Sequence, residues 1–306
     1  MSPRAAVIYS PRYYSDIGPH VFPVEKFRLL HEQLIHAGDV PLEEVIEPAP
    51  ASREELLQVH TPAYLEDLER LRWTERTAMS ELPLSHQIVH AYVLMAGGTV
   101  RAAREALARG AGINLGGGFH HAFADRASGF CYINDIAVAI RALQREGRIR
   151  RAAVVDLDVH QGNGTAVIFQ RDRDVFTFSM HQEHLYPVKE ISDLDIGLDD
   201  HIGDEDYLAL LATALPRVLE AHEPELVVYQ AGADPYQDDQ LGSLGLTMDG
   251  LERRDRAVLE GCARLGIPVV VTLGGGYARR VSDTVRIHLH TCRVALGLGA
   301  PPRAPA

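Results

Sequence analysis

Cysteine pairs, an excess of basic charge and long apolar runs are all missing from this 306-residue chain, and each absence removes a class of function. Cys131, Cys262 and Cys292 lie far apart with no C-x-x-C pair. That excludes a disulfide framework or an all-cysteine zinc site and fits a reducing compartment. Lys and Arg number 30 against 42 Asp and Glu, a net charge of -12, whereas sequence-independent nucleic-acid binding needs a basic surface. The acidity is compatible with a cationic partner such as a lysine-rich segment or a polyamine, and it also serves solubility. No apolar run approaches the roughly 20 residues of a membrane-spanning helix. The N-terminal MSPRAAVIYSPRYY lacks the apolar core of a signal peptide. A soluble, cytoplasmic protein is expected, with no membrane or direct nucleic-acid contact; no coiled coil or interface stripe marks an oligomeric state.

Several familiar catalytic signatures are absent too. The glycine triplets give neither G-x-G-x-x-G nor a P-loop, and there is no G-x-S-x-G elbow. Asp156-x-Asp158 opens like a calcium loop, but Gln161 and Val167 stand where that loop needs Gly and Glu. His31-Glu32 with His36 is not H-E-x-x-H; five residues along a helix is roughly 140° around its axis, so the two imidazoles diverge.

What is present is an ordinary globular composition, with 46% hydrophobic and 24% charged residues. Runs rich in Val, Ile and Leu at 5–9, 112–115, 152–157, 175–179, 226–230 and 268–273 read as strands. Most lack polar alternation, as parallel strands covered on both faces do. Helical patterns fill 25–37, 62–72, 86–109, 135–146, 204–221, 249–265 and 281–296, and Ser52 with Glu55 forms a capping box. Thr61-Pro62 supplies an N-cap followed by proline at the first helical position. The expected fold is α/β: a single-domain, mainly parallel β-sheet flanked by helices on both faces. One catalytic domain over 1–296 is expected, with a flexible tail over 297–306. Segments 73–85 and 180–203 are long for plain loops, which in a compact domain are often functional.

The polar residues fall at strand ends. Open parallel sheets bind ligands outside the carboxyl ends of their strands. Here four such ends run into Gly116-Gly117-Gly118-Phe119-His120-His121, into Asp156, Asp158 and His160, into Ala231-Gly232-Ala233-Asp234, and into Gly274-Gly275-Gly276-Tyr277. Residues two apart in extended backbone point the same way, so Asp158 and His160 can grip one ion with Asp234 arriving from another strand. Two carboxylates and an imidazole suit Zn²⁺, and equally Fe²⁺ or Mn²⁺. A lone D-x-D-x-H also serves as a helix cap; the adjoining histidine pair weighs against that here. His120 and His121 offer imidazoles able to accept and return a proton near neutrality, with Asp156 and Asn163 as orienting partners. Tyr277 can donate to an oxyanion, although Gly-Gly-Gly-Tyr is equally a turn before a core tyrosine.

Taken together, GGGFHHAFADRASGFCYINDIAVAI from Gly116, DLDVHQGNGT from Asp156, AGADPYQDDQLGSLGLT from Ala231 and LGGGY from Leu273 resemble the histone deacetylase family of the arginase/deacetylase superfamily. The match in order and spacing covers roughly residues 85–280, and the Gln161-Gly162-Asn163-Gly164 variant is most similar to the class IV branch and related bacterial amidohydrolases. The resemblance implies Asp158, His160 and Asp234 as metal ligands and His121 as general base and acid, with His120 as its helper. It implies Asp156 and Asn163 as orienting partners and Tyr277 as the carbonyl-polarising group. Gly129, Phe130, Tyr186 and Gly275 would contact a linear acyl-amine chain. Backbone near Asp156, Ser179 and Met180 would hold a structural K⁺. Two departures stand out: Asn163 where many class I members carry Asp, and Gln161 in place of a second histidine. The implied activity is zinc-dependent removal of acetyl or longer acyl groups from protein lysines. The alternatives are an amidohydrolase of acetylpolyamines or other small amides and, from another class, a non-catalytic acyl-lysine-binding protein.

Overall fold

Strands whose successive residues are all buried need cover on both faces, because their side chains alternate between the two. In the computed structural model, which describes residues 5–297, this holds for the central strands Ala152–Asp156 and Leu226–Gln230. The sheet has seven strands: β1 (Ala6–Ile8), β2 (Ala111–Asn114), β3 (Ala152–Asp156), β4 (Val175–Gln182), β5 (Leu194–Leu198), β6 (Leu226–Gln230) and β7 (Val269–Thr272). Their order is β1-β2-β7-β6-β3-β4-β5, and every neighbouring pair is parallel. Each fully buried Val, Leu or Ile along these strands stabilises the sheet by about 1.5–3 kcal/mol.

Helices flank the sheet: α1 (Lys26–His36), α2 (Arg53–Leu56), α3 (Pro62–Glu69), α4 (Glu75–Ala78), α5 (His86–Arg109), α6 (Asp135–Arg145), α7 (Asn163–Phe169), α8 (Asp204–Pro216), α9 (Met248–Leu265) and α10 (Val281–Ala295). Their ends follow local chemistry. The Ser52–Glu55 capping box opens α2, Thr61 caps α3 ahead of Pro62, and Gly266 at φ 68° closes α9. Segment 180–203 is not loop throughout, since its start extends β4 to Gln182 and its end carries the edge strand β5. Segment 73–85 contains the short α4. The 297–306 tail expected from composition lies, but for Gly297, outside the described residues. No helix among the described residues is long and apolar enough to cross a membrane.

The topology matters for function because β2, β7, β6 and β3 are four adjacent central strands. Their carboxyl ends are the four that run into the polar and glycine-rich sequences, so these meet at one edge of the sheet.

Candidate active site

Asp158, His160 and Asp234 are all buried, and their ligand atoms lie within 4.8 Å of one another. His160 Nδ1 is 3.1 Å from Asp158 Oδ1 and 3.3 Å from Asp234 Oδ2. Two donors each about 2.0–2.2 Å from a tetrahedral ion would stand about 3.3–3.6 Å apart. Backbone amides hold the carboxylates in place: Val159 N donates to Asp234 Oδ1 at 2.9 Å and Gly275 N to Asp158 Oδ2 at 2.9 Å. Asp234 Oδ2 is fully buried, and among the described residues it accepts no well-aligned hydrogen bond, its 3.3 Å contact with His160 Nδ1 included. A buried oxygen normally has one, so this atom points to a missing ligand, and a divalent cation fits the donor set.

The electrostatics agree. Burial disfavours both carboxylate charges, yet the His120 and His160 imidazoles hold Asp158 well below the usual carboxylate range. Burial and the facing Asp158 charge push Asp234 up instead. Like charges this close strain one another, and a cation between them removes the conflict.

The histidine pair sits beside this triad. The turn that carries it is pinned by the buried carboxylate of Asp135, which accepts from Gly118 N, Phe119 N and Thr99 Oγ1. His120 Nδ1 lies 2.7 Å from Asp156 Oδ2, and His121 Nδ1 lies 2.8 Å from Asn163 Oδ1. The two Nε2 atoms are 3.1 Å apart. Burial alone would lower the His120 imidazole, but the Asp156 and Asp158 charges outweigh it and push it up to about 9. His121 goes the other way: burial, then the neighbouring His120 and His160 charges, drive it well below its ordinary value. The two rings, side by side, are thus oriented differently, His120 by a carboxylate and His121 by a neutral amide.

A cavity of about 330 Å³ opens over these groups, lined by His121, Phe130, His160, Tyr186, Leu241 and Tyr277, among others. Behind it a space of about 20 Å³, room for roughly one water, reaches Asp158, His120, Gly275 and Cys131. Tyr277 is 8% exposed, and its hydroxyl makes no hydrogen bond among the described residues. Burial, then the Asp234 and Asp158 charges, raise this phenol well above its ordinary value, so it stays protonated. Tyr186 Oη meets Ser128 Oγ at 2.8 Å, and its ring centre is 5.3 Å from that of His121. Gly129 (φ 45°) and Phe130 (φ 62°) line the same cavity. A side chain on Gly129 would collide with His121 and Tyr186, and the unfavourable backbone at Phe130 is held by a bond from its N to Ser80 O.

Gly275 sits closer to the ligands than to the cavity mouth. A Cβ there would strike both the Asp234 and Asp158 carboxylates. Asp156 and Ser179 are register partners on β3 and β4, with Met180 next along. A larger cavity, about 710 Å³, lies at the opposite end of the sheet near Gly110, Pro268 and Leu296, and none of the strand-end residues reaches it.

Sequence reading missed several supporting residues. Lys26 is 1% exposed, donates to Gly274 O and packs against the Phe22 and Phe27 rings. Burial brings its ammonium down to about 8 against the pull of Asp234, Asp158 and Asp239. Asp239 accepts from Tyr277 N at 2.7 Å and so fixes the tyrosine's backbone. Arg254, 0% exposed, donates through one nitrogen to Leu157 O at 3.2 Å and Gly232 O at 2.7 Å, joining the two ligand loops. Its counter-ion Asp255 also accepts from Tyr229 and Thr291. A signal for both cations was present: Lys26 falls four before Leu30, and Arg254 falls between Leu251 and Val258, on apolar helix faces where charge is out of place.

Known proteins are similar along nearly the whole chain. The histone deacetylase domain profile matches residues 20–292. An uncharacterised protein of Picosynechococcus sp. is 44% identical over 92% of this chain and 95% of its own length. Histone deacetylase 2 of Arabidopsis thaliana is 33% identical over 92% of this chain and 78% of its own. A crystal structure of an HDAC homolog complexed with SAHA superposes with a TM-score of 0.85 at 27% identity, covering 97% of this chain and 85% of that one. The shared domain runs through all four strand ends, and the chain is accordingly a member of the histone deacetylase family and a deacetylase hydrolase.

Proposed function

We propose that this protein is a metal-dependent lysine deacylase, with Asp158, His160 and Asp234 as ligands to one Zn²⁺. The observation that carries the reading is the unpartnered Asp234 Oδ2 beside Asp158 and His160, directly beneath a cavity flanked by His121 and Tyr277. A divalent ion bound there supplies Lewis acidity toward the acyl carbonyl and lowers the pKa of a water. The chain's own groups do the rest. Neutral His121 takes the proton of the attacking water at Nε2. His120, anchored by Asp156, stands beside it as an electrostatic and hydrogen-bonding helper. The protonated Tyr277 hydroxyl donates to the oxygen that gains charge as the carbonyl carbon becomes tetrahedral. His121 then returns its proton to the leaving amine, giving a carboxylate and a free amine. Phe130 and Tyr186 flank the linear chain, and Gly275 keeps the ligand carboxylates in register. A structural K⁺ on backbone oxygens near Asp156, Ser179 and Met180 belongs to the same proposal, as does a catalytic domain reaching residue 296.

The acyl-lysine protein need not be a histone. One observation favours a second reading, hydrolysis of acylated polyamines: Glu81 lines the outer cavity and makes no ion pair among the described residues. A polyamine keeps further ammonium groups that a free carboxylate would meet. The deciding experiment compares one lysine peptide carrying acetyl, butyryl, octanoyl or myristoyl with N-acetylputrescine, using protein loaded with Zn²⁺ or Fe²⁺. Preferred turnover of an acyl-lysine peptide supports the first reading. Preferred turnover of N-acetylputrescine transfers the assignment to the second.

A further inference from the structure

Gln161 stands between two groups of the site, His160 and Asn163, yet its own side chain turns away from them. It is 1% exposed, and all its hydrogen bonds go to the segment after β4. Nε2 donates to Glu190 O at 2.7 Å and to Asp195 Oδ1 at 2.8 Å, while Oε1 accepts from Glu190 N at 2.7 Å. The carboxamide thus pairs with both backbone groups of Glu190 as a neighbouring strand would. Asp195 is held in turn, its Oδ2 accepting from Ser192 N at 2.8 Å.

The segment so gripped has few other attachments. Among the described residues, positions 184–191 make only one further hydrogen bond to the rest of the chain, between Tyr186 and Ser128. Lys189 reaches only Leu185, within the segment itself. Pro187 is buried and Leu185 packs against the core, but Val188 and Ile191 beyond them are 88% and 72% exposed, so apolar packing contributes little on the Glu190 side. A stretch with so few hydrogen bonds to its surroundings opens at low free-energy cost unless something specific holds it. The same loop carries Leu185 and Tyr186, which form one wall of the cavity over His121 and His160.

We infer that Gln161 is a positioning residue that fastens the Tyr186 wall of the substrate tunnel to the metal-binding turn and thereby sets how tightly an acyl chain is held. An imidazole at this position presents one nitrogen at each end of a rigid ring. It cannot place a donor and an acceptor side by side on one backbone unit, as the carboxamide does. The bond pattern therefore depends on the carboxamide of Gln161. Because Gln161 touches neither the ligand atoms nor the reacting groups, its loss acts on substrate binding rather than on chemistry.

This inference rests on the deacylase reading only for its kinetic part. The experiment uses the full zinc-loaded chain, wild type and Gln161→Met, the latter similar in volume but unable to make these bonds. In the wild type, the Glu190 amide should exchange with solvent at least about a hundredfold more slowly than those of Lys189 and Ile191. In Gln161→Met that protection should vanish while bound zinc stays at the wild-type ratio. KM for an octanoyl-lysine peptide should rise about tenfold with kcat changed less than about threefold. A Glu190 amide exchanging as fast as its neighbours in the wild type overturns the inference, even if the variant does not fold. So does a variant with unchanged protection and KM, or one that loses zinc and kcat with KM intact. If the wild type hydrolyses no acyl-lysine, the deacylase reading fails and the exchange data alone decide the role of Gln161.

Discussion

His121 Nδ1 lies 2.8 Å from Asn163 Oδ1, so the imidazole proposed to move the proton is oriented by a neutral amide. Its neighbour His120 is paired with a carboxylate, Asp156, and the two rings are driven in opposite directions from their ordinary values. A neutral partner keeps His121 from gaining the charge stabilisation that His120 enjoys, which suits a base that must be unprotonated at the start of each cycle.

The sign of a pH effect follows. Activity needs neutral His121 and is lost as pH falls through its pKa. Asn163→Asp places a carboxylate charge beside Nδ1, stabilises the imidazolium and raises that pKa. The acid limb of kcat/KM should therefore move to higher pH by about one unit or more. A pH profile of the variant checks this; an unmoved limb, or one shifted to lower pH, removes His121 from the role of base.

Among the described residues the Tyr277 hydroxyl makes no hydrogen bond, and burial keeps it protonated. Tyr277→Phe should lower kcat about a hundredfold to a thousandfold with zinc content unchanged, as loss of an oxyanion donor does. Steady-state kinetics beside metal analysis makes the measurement. Full kcat in the variant would leave the tyrosine as a wall residue only.

Arg254 bridges the carbonyls of Leu157 and Gly232, the former adjacent to Asp158 and the latter two before Asp234. Arg254→Met should weaken zinc binding by about tenfold to a hundredfold, read by competition with a chelator. It should also lower stability by about 3–5 kcal/mol in urea, because Asp255 is left buried without its partner. Lower stability with unchanged zinc affinity would make the arginine a core ion pair and nothing more.

The sheet and the four polar strand ends were legible because each gave a local pattern: an unalternating apolar run, then a cluster of ligand-type residues. β5 was not. Its residues, Leu194–Leu198, alternate between partly buried and exposed at the sheet edge and sit within an acidic stretch, which reads as loop. α7 was hidden because it starts at Asn163-Gly164-Thr165, poor helix formers whose conformation is set by contacts such as Thr165 N to His120 O. Asp135 and Asp239, and the partner of Gln161, escaped for another reason. Each acts through backbone groups far away in sequence, as Gln161 does on Glu190, and no local spacing encodes such a bond. Metal ligands announce themselves by residue type; the residues that aim them do not.

The most direct test of the central claim is zinc stoichiometry measured together with turnover of an acetyl-lysine peptide, in the wild type and in Asp158→Ala. One zinc per chain with hydrolysis in the wild type, and neither in the variant, is the predicted result. Wild-type rates from Asp158→Ala, or a fully zinc-loaded wild type that hydrolyses no acyl-lysine and no acylated polyamine, would contradict it.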